Sequence, residues 1–168
     1  AASSVETITE LCVKRLPEKM NIPPHDIQVL SPTRKGELGT VNLNRQLQLV
    51  LNPASKEKKE KYFGDHVFRE GDRVMQIKNN YDILWTSRDM TESGSGIYNG
   101  DIGFIVGIDP ENETLTVDFD GKIAIYGFDS LLELEHAWAM TVHKSQGSEY
   151  RAVILALSSG SQMLMTRS

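Results

Sequence analysis

Apolar positions at Val5, Ile8, Leu11, Cys12, Leu16 and Met20 recur at intervals of three and four, with Glu6, Glu10 and Lys14 between them. That pattern predicts an amphipathic helix over residues 5–20, its end disturbed by Pro17, whose ring lacks an N–H for the helical ladder. A connector with Pro23 and Pro24 follows, and then a short apolar run, Ile27 to Leu30, that stops at Ser31-Pro32. The run reads as a buried strand entering a loop. Leu43, Leu47, Val50 and Leu51 lie on one face of a helix that starts near Gly39-Thr40 and must stop by Asn52-Pro53. These elements make a β-loop-α unit.

The pattern then changes. Residues 54–61, ASKEKKEK, carry no apolar anchor and read as a solvated linker or helix end. From Val67 to Leu132 come short β-like runs at 73–77, 103–108, 114–119 and 122–126, punctuated by Glu70-Gly71-Asp72, Asn99-Gly100-Asp101, Asp109-Pro110 and Asp120-Gly121. Asn-Gly and Asp-Gly are the dipeptides that tight hairpins favour, so this stretch predicts a small antiparallel barrel, with Thr91–Gly96 as an exposed, flexible loop. Ala137 to Met140 is a further strand candidate, running into a polar turn, Thr141 to Glu149, at an expected helix start; Ala152 to Leu157 is another buried strand. The fold class expected is α/β, a split lobe with a β-barrel inserted in it, divided as 1–63, 64–132 and 133–168. There is no internal repeat.

Composition narrows the function classes. The chain has 168 residues, 39% hydrophobic and 24% charged, which is the make-up of a folded domain. No apolar run is long enough to span a bilayer and no signal peptide is visible, so neither membrane nor secretion is indicated. One cysteine, Cys12, leaves no disulfide framework and no cysteine zinc site, and a reducing, cytoplasmic setting is the default. The formal charge of −5 gives no global attraction for nucleic acid. A few placed cations and hydroxyls can still grip a phosphate backbone locally.

Candidate chemistry concentrates at Thr141–Glu149. A strand that ends in hydroxyls, a histidine, a lysine and a glycine brings donors to one point, which suits phosphate. A polar surface loop with a satisfied histidine fits the same residues. His25, His66, His136 and His143 show no metal-ligand spacing, so no metal site is expected. Tyr81, Trp85 and Tyr98 offer a stacking face for bases, but such aromatics more often cover a small barrel's core, and that is the expectation adopted.

The segment Thr141-Val142-His143-Lys144-Ser145-Gln146-Gly147-Ser148-Glu149-Tyr150 resembles motif V of superfamily 1 DNA helicases, specifically the RecD-like (exodeoxyribonuclease V alpha subunit) branch. The run from Val29 to Asn44, with Leu51-Asn52-Pro53, is similar to that branch's motif IV region. Phe68 to Gln76 and Tyr98 to Gly103 resemble its SH3-like insertion. The ordered set covers residues 28–157.

This resemblance implies a second RecA-like lobe, of P-loop NTPase-like fold, that closes on ATP held by a first lobe and moves 5′ to 3′ along single-stranded DNA in recombination or repair. By that analogy Thr141, His143, Lys144 and Ser145 contact the DNA backbone, Arg34, Gly147 and Glu149 face the nucleotide, and Gln146 ties the turn together. The chain lacks G-x-x-x-x-G-K-[ST], so the Mg-ATP cradle is missing. It also stops on the approach to motif VI. A fragment is therefore expected, inactive and binding no cofactor alone. ATP and Mg²⁺ would belong to the full-length protein, and the partners would be single-stranded DNA, the N-terminal lobe and other exonuclease or repair subunits. The alternative is an SH3-like module that binds protein or nucleic acid without ATPase activity.

Overall fold

The structure, a computed structural model, describes residues 2–145, 150–157 and 162–166. In chain order the helices are α1 (Ala2–Glu10), α2 (Leu16–Met20) and α3 (Thr40–Leu51). The strands are β1 (Ile27–Ser31), β2 (Glu60–Phe63), β3 (His66–Arg69), β4 (Arg73–Gln76), β5 (Asn80–Ser87), β6 (Ser93–Ile97), β7 (Ile102–Asp109), β8 (Thr114–Phe119), β9 (Lys122–Gly127), β10 (Leu134–His136), β11 (Ala139–Thr141), β12 (Ala152–Ala156) and β13 (Gln162–Thr166). They fall into two compact units, residues 1–53 with 138–168, and residues 54–137.

In the first unit the predicted N-terminal helix is present but widened. Between α1 and α2 the turn Leu11–Arg15 is π-helical, with the Leu16 N–H reaching back to the Leu11 carbonyl. Pro17 follows at once, and a proline ring collides with the carbonyl four residues earlier, so the wider turn makes room for it. The helix stops at Asn21, which takes the left-handed conformation (φ 55°) of a C-terminal cap. Ile8, Cys12 and Leu16 form its buried stripe. In α3, Leu43 and Leu47 are fully buried as expected, but Val50 is exposed. The rest of the buried face is polar: Thr40, Asn44 and Gln48.

Strand β1 lies inside a four-stranded sheet of order β11-β1-β12-β13, parallel to β11 and β12, while β13 runs antiparallel to β12. All five β1 residues are buried, as a strand covered on both faces must be. Two of the five are polar: Gln28 Nε2 donates to the Val29 and Trp138 carbonyls, and Ser31 Oγ donates to the Leu38 carbonyl, which allows their burial.

The second unit is a seven-stranded antiparallel sheet of order β10-β4-β7-β8-β9-β5-β6, with the hairpin β2-β3 beside it. The sheet curls. Ile97 on one end strand, β6, and Leu134 on the other, β10, belong to the same core as Val74, Ile105, Leu115, Val117 and Tyr126. Strand β8 alternates strictly, with Leu115, Val117 and Phe119 inward. The predicted Asp-Gly turn is realised between β8 and β9: Asp120 (φ 51°) and Gly121 (φ 98°) both take positive φ, the requirement of a two-residue hairpin loop. Inside, the Tyr126 hydroxyl donates to Gln76 Oε1 at 2.6 Å, and Gln76 Nε2 donates to Glu133 Oε1 at 2.8 Å. Burial, with Glu133 and Asp101 adding to it, raises the Tyr126 phenol well above its ordinary range, so it stays a donor.

Three expectations need correction. Residues 54–61 end in strand β2, because Glu60 pairs across from Arg69 in a hairpin and their side chains form an ion pair with Arg69 Nε 2.5 Å from Glu60 Oε2. Thr91–Gly96 is not a flexible loop, since Ser93–Ile97 pairs with β5. Its glycines serve close packing: a Cβ on Gly94 would lie 2.7 Å from the Trp85 ring, and one on Gly96 would fall on the Tyr98 hydroxyl. Strand β13 lies in a stretch to which the sequence pattern assigns no element.

The turn before β6 carries a titration test. Asp89 accepts hydrogen bonds from Thr91 Oγ1 (2.7 Å), Ser87 Oγ (2.8 Å) and the Thr91 N–H (3.1 Å), and these hold its carboxyl at about 2 instead of 3.8. A depressed folded value stabilises the turn above the unfolded value, and the contribution is lost as pH falls through about 2. Carboxyl NMR should give an Asp89 midpoint near 2; a midpoint at 3.8 would mean that these bonds do not hold in solution.

Candidate nucleotide and nucleic-acid interface

The C-terminal ends of β1 and β11 lie side by side, with Ser31 opposite Thr141 in parallel register. The loop carrying Arg34 leaves the first and the loop carrying His143, Lys144 and Ser145 leaves the second. In open α/β sheets ligands bind outside the carboxyl ends of the strands, and strand pairing puts the loop of Arg34 and the loop of Thr141–Ser145 at neighbouring ends of that kind.

The Arg34 loop is held from within. Ser31 Oγ donates to the Leu38 carbonyl at 2.6 Å and accepts from the Thr33 N–H at 3.3 Å. The Thr40 N–H donates to the Thr33 carbonyl, the Val41 N–H to the Arg34 carbonyl, and Asn42 Nδ2 to the Glu37 carbonyl. Gly39 sits where the loop folds back, with space for no side chain: a Cβ there would lie 2.5 Å from the Arg34 carbonyl oxygen. The backbone around Arg34 is thus fixed while its side chain is exposed. That combination suits a guanidinium that must meet an incoming phosphate at a set point.

On the neighbouring loop, His143–Ser145 form a single 3₁₀ turn. Ser145 donates both its N–H (3.2 Å) and its hydroxyl (2.7 Å) to the Val142 carbonyl, so the hydroxyl expected to contact DNA also closes the turn. Thr141, Lys144 and Ser145 are half-buried and His143 is exposed. The helix start expected after Thr141, and with it Gln146, Gly147 and Glu149, lies outside the described residues.

Three residues that brace these loops from outside the site carry no function in the sequence reading: Ser31, Gly39 and Asn44. Asn44 Nδ2 donates to the Ala139 carbonyl (2.9 Å) and its Oδ1 accepts from the Ala139 N–H (2.7 Å). Its signal was an asparagine on the buried face of α3, next to Leu43 and one turn before Leu47. Among the described residues no group of three His, Cys, Asp or Glu is placed to hold a metal ion.

On the barrel the aromatics divide. Trp85 packs partly on the core, with Lys122 Nζ 4.9 Å from its ring centre. Tyr81 and Tyr98 are not core, being 66% and 40% exposed with their rings 5.6 Å apart in an edge-on pair. The expectation of buried tyrosines fails because Gly96 leaves an open seat outside the sheet on which Tyr98 rests.

Residues 43–119 match the family model of the ATP-dependent RecD-like DNA helicase SH3 domain, and residues 136–168 match the UvrD-like helicase C-terminal domain. A RecD2 DNA helicase of Deinococcus radiodurans is 34% identical over 86% of this chain. This chain belongs to the RecD-like helicase family. The RecBCD enzyme subunit RecD of Mycolicibacterium smegmatis is 29% identical over 83% of the chain. The chain spans 18% of the first relative's length and 22% of the second's. A crystal structure of Bacteroides Pif1 bound to single-stranded DNA aligns over 92% of this chain and 39% of its own, with 15% identity and a TM-score of 0.46. In this RecD-like chain the SH3 domain match takes in strands β2 to β8, most of the curled antiparallel sheet, and the helicase C-terminal match takes in β11 to β13.

Proposed function

We propose that this chain is the second motor lobe, with its barrel, of an ATP-dependent helicase that moves 5′ to 3′ along single-stranded DNA in recombination or repair. The observation that carries the reading is the Ser31–Thr141 register, which puts the Arg34 loop and the Thr141–Ser145 loop at adjacent strand ends. A lobe that must respond to nucleotide on one loop and hold DNA on another needs the two that close. Thr141, His143, Lys144 and Ser145 hold the DNA backbone, while Arg34 faces the nucleotide phosphates, together with Gly147 and Glu149.

Bound ATP with Mg²⁺ supplies the phosphoanhydride whose cleavage drives each step. The residues here fit one side of it only: an exposed guanidinium on a fixed loop, but no glycine-rich cradle, which falls to an N-terminal lobe. Activity therefore belongs to the longer chain, working alone or with exonuclease subunits. Among the described residues no helix is long and apolar enough to cross a membrane. With a lone buried Cys12, we place the protein in the cytoplasm, alongside its DNA.

Lys144→Ala in the full-length chain tests the DNA side. Loss of one phosphate contact should weaken oligo(dT) and mixed-sequence binding alike and reduce the slope of log K against log salt by about 0.7, the single-strand value per contact. A loss confined to one base composition, or an unchanged slope, contradicts the assignment.

A further inference from the structure

We infer that Asn44 is a positioning residue that couples the nucleotide-side loop to the DNA-side loop. The inference rests on the proposed function and names the device through which the two loops of that site act on one another.

Within a strand, the backbone groups of successive residues point to opposite edges. Asn44 takes both the N–H and the C=O of Ala139, so its amide stands at the edge of β11 turned away from β1, in the place a further strand would occupy. A side-chain amide has the same donor and acceptor as a peptide group and can substitute for one. This pair spans 95 positions in sequence, and Asn44 is only 9% exposed.

What makes the contact more than a sheet edge cap is where its two ends lead. One turn before Asn44, the first N–H groups of α3, those of Thr40 and Val41, donate to the carbonyls of Thr33 and Arg34. Two residues beyond Ala139 the chain reaches Thr141 and then His143 and Lys144. A single helical turn therefore holds the Arg34 backbone at one end and the root of the DNA-side loop at the other. A hydrogen-bonded helical turn moves as a rigid piece, so a shift of the Arg34 loop on meeting a phosphate is carried by α3 to Ala139. DNA pulling on the Thr141–Ser145 loop acts on Arg34 by the same route, since coupling between sites is reciprocal.

In the full-length chain, Asn44→Ala should cut the ratio of ATP turnover with oligo(dT) to turnover without it by about tenfold, within the usual range of coupling between sites. Turnover without DNA should be unchanged. Asn44→Asp keeps the shape and the acceptor for the Ala139 N–H but sets a carboxylate oxygen against the Ala139 carbonyl, so it should lose the ratio too, and it serves if the alanine variant does not fold. Leu47→Val, on the same buried face of α3, lowers thermal stability while leaving both bonds to Ala139 in place, and should keep the ratio.

A purely structural Asn44 would behave otherwise. Basal and stimulated turnover would fall together, or the ratio would fall in Leu47→Val as it does in Asn44→Ala; either result overturns the inference, as does a ratio that survives both Asn44 variants. A wild-type chain whose ATP turnover ignores DNA would instead sink the proposed function itself, and this inference with it.

Discussion

Replacing Arg34 by alanine in the full-length chain is expected to lower DNA-stimulated ATP turnover by roughly a thousandfold, the lower end of what an arginine aimed at a transferring phosphoryl group contributes. The expectation follows from how the loop is built. Ser31, the Thr40 and Val41 N–H groups and Gly39 fix the backbone on both sides of Arg34, so the guanidinium reaches out from a fixed Cα. Arg34→Lys should recover little, because an ammonium cannot make the forked contact of a guanidinium. Affinity for oligo(dT) without nucleotide should stay at the wild-type level, since the DNA contacts we propose sit on the β11 loop. Steady-state turnover with and without DNA, beside a binding titration, separates the two. Equal losses of DNA affinity in Arg34→Ala and Lys144→Ala would remove the division of labour between the loops.

Gly39→Ala should also be damaging, by about a tenth of that factor, although it deletes no functional group. Its φ of −78° is open to any residue, so the difficulty is space alone. The new methyl would lie 2.5 Å from the Arg34 carbonyl oxygen and 2.6 Å from its carbonyl carbon, and backbone atoms cannot rotate away. The loop must move outward. Overpacking of this kind costs about 1–3 kcal/mol, which lowers Tm by roughly 2–4 °C for each kcal/mol in a domain of this size. A displacement of about 1 Å at a positioned group costs on the order of a hundredfold in rate, so ATP turnover should fall by that much at temperatures where the protein is still folded. Gly36 is the control. A Cβ there meets nothing within 4 Å, but its φ of +88° is strained for alanine. Gly36→Ala should lose about 1 kcal/mol with a far smaller change in turnover. If Gly36→Ala proved the worse enzyme, backbone conformation and not space would govern the loop.

Much of this molecule is legible without coordinates wherever the determining forces are local. The burial of Ile27, Val29 and Leu30 is written in a mostly apolar stretch that stops before Ser31-Pro32, and the Leu43–Leu47 face of α3 in helical spacing. The β8-β9 hairpin is written in Asp120-Gly121, a pair that tolerates two successive positive φ values. Motif order along the chain pointed to the RecD-like family because such motifs are contiguous residues whose spacing the backbone preserves.

Tertiary structure decided the rest, and for one physical reason: the partners are far apart in sequence, so no local rule refers to them. Gly94 and Gly96 look like a flexible loop until Trp85 and Tyr98 are seen filling the space beside them. Glu60 looks like part of a solvated charge run until it pairs with Arg69. Tyr81 and Tyr98 were expected inside because aromatic residues gain from burial, yet the seat over Gly96 keeps them out. The neighbouring departure of the Arg34 loop and the Thr141–Ser145 loop comes from the pairing of β1 with β11, and the Asn44–Ala139 contact from the packing of α3 on that edge. Composition and periodicity determined which segments would be buried and what folds they could join; only the register between distant strands determined which side chains would share a site.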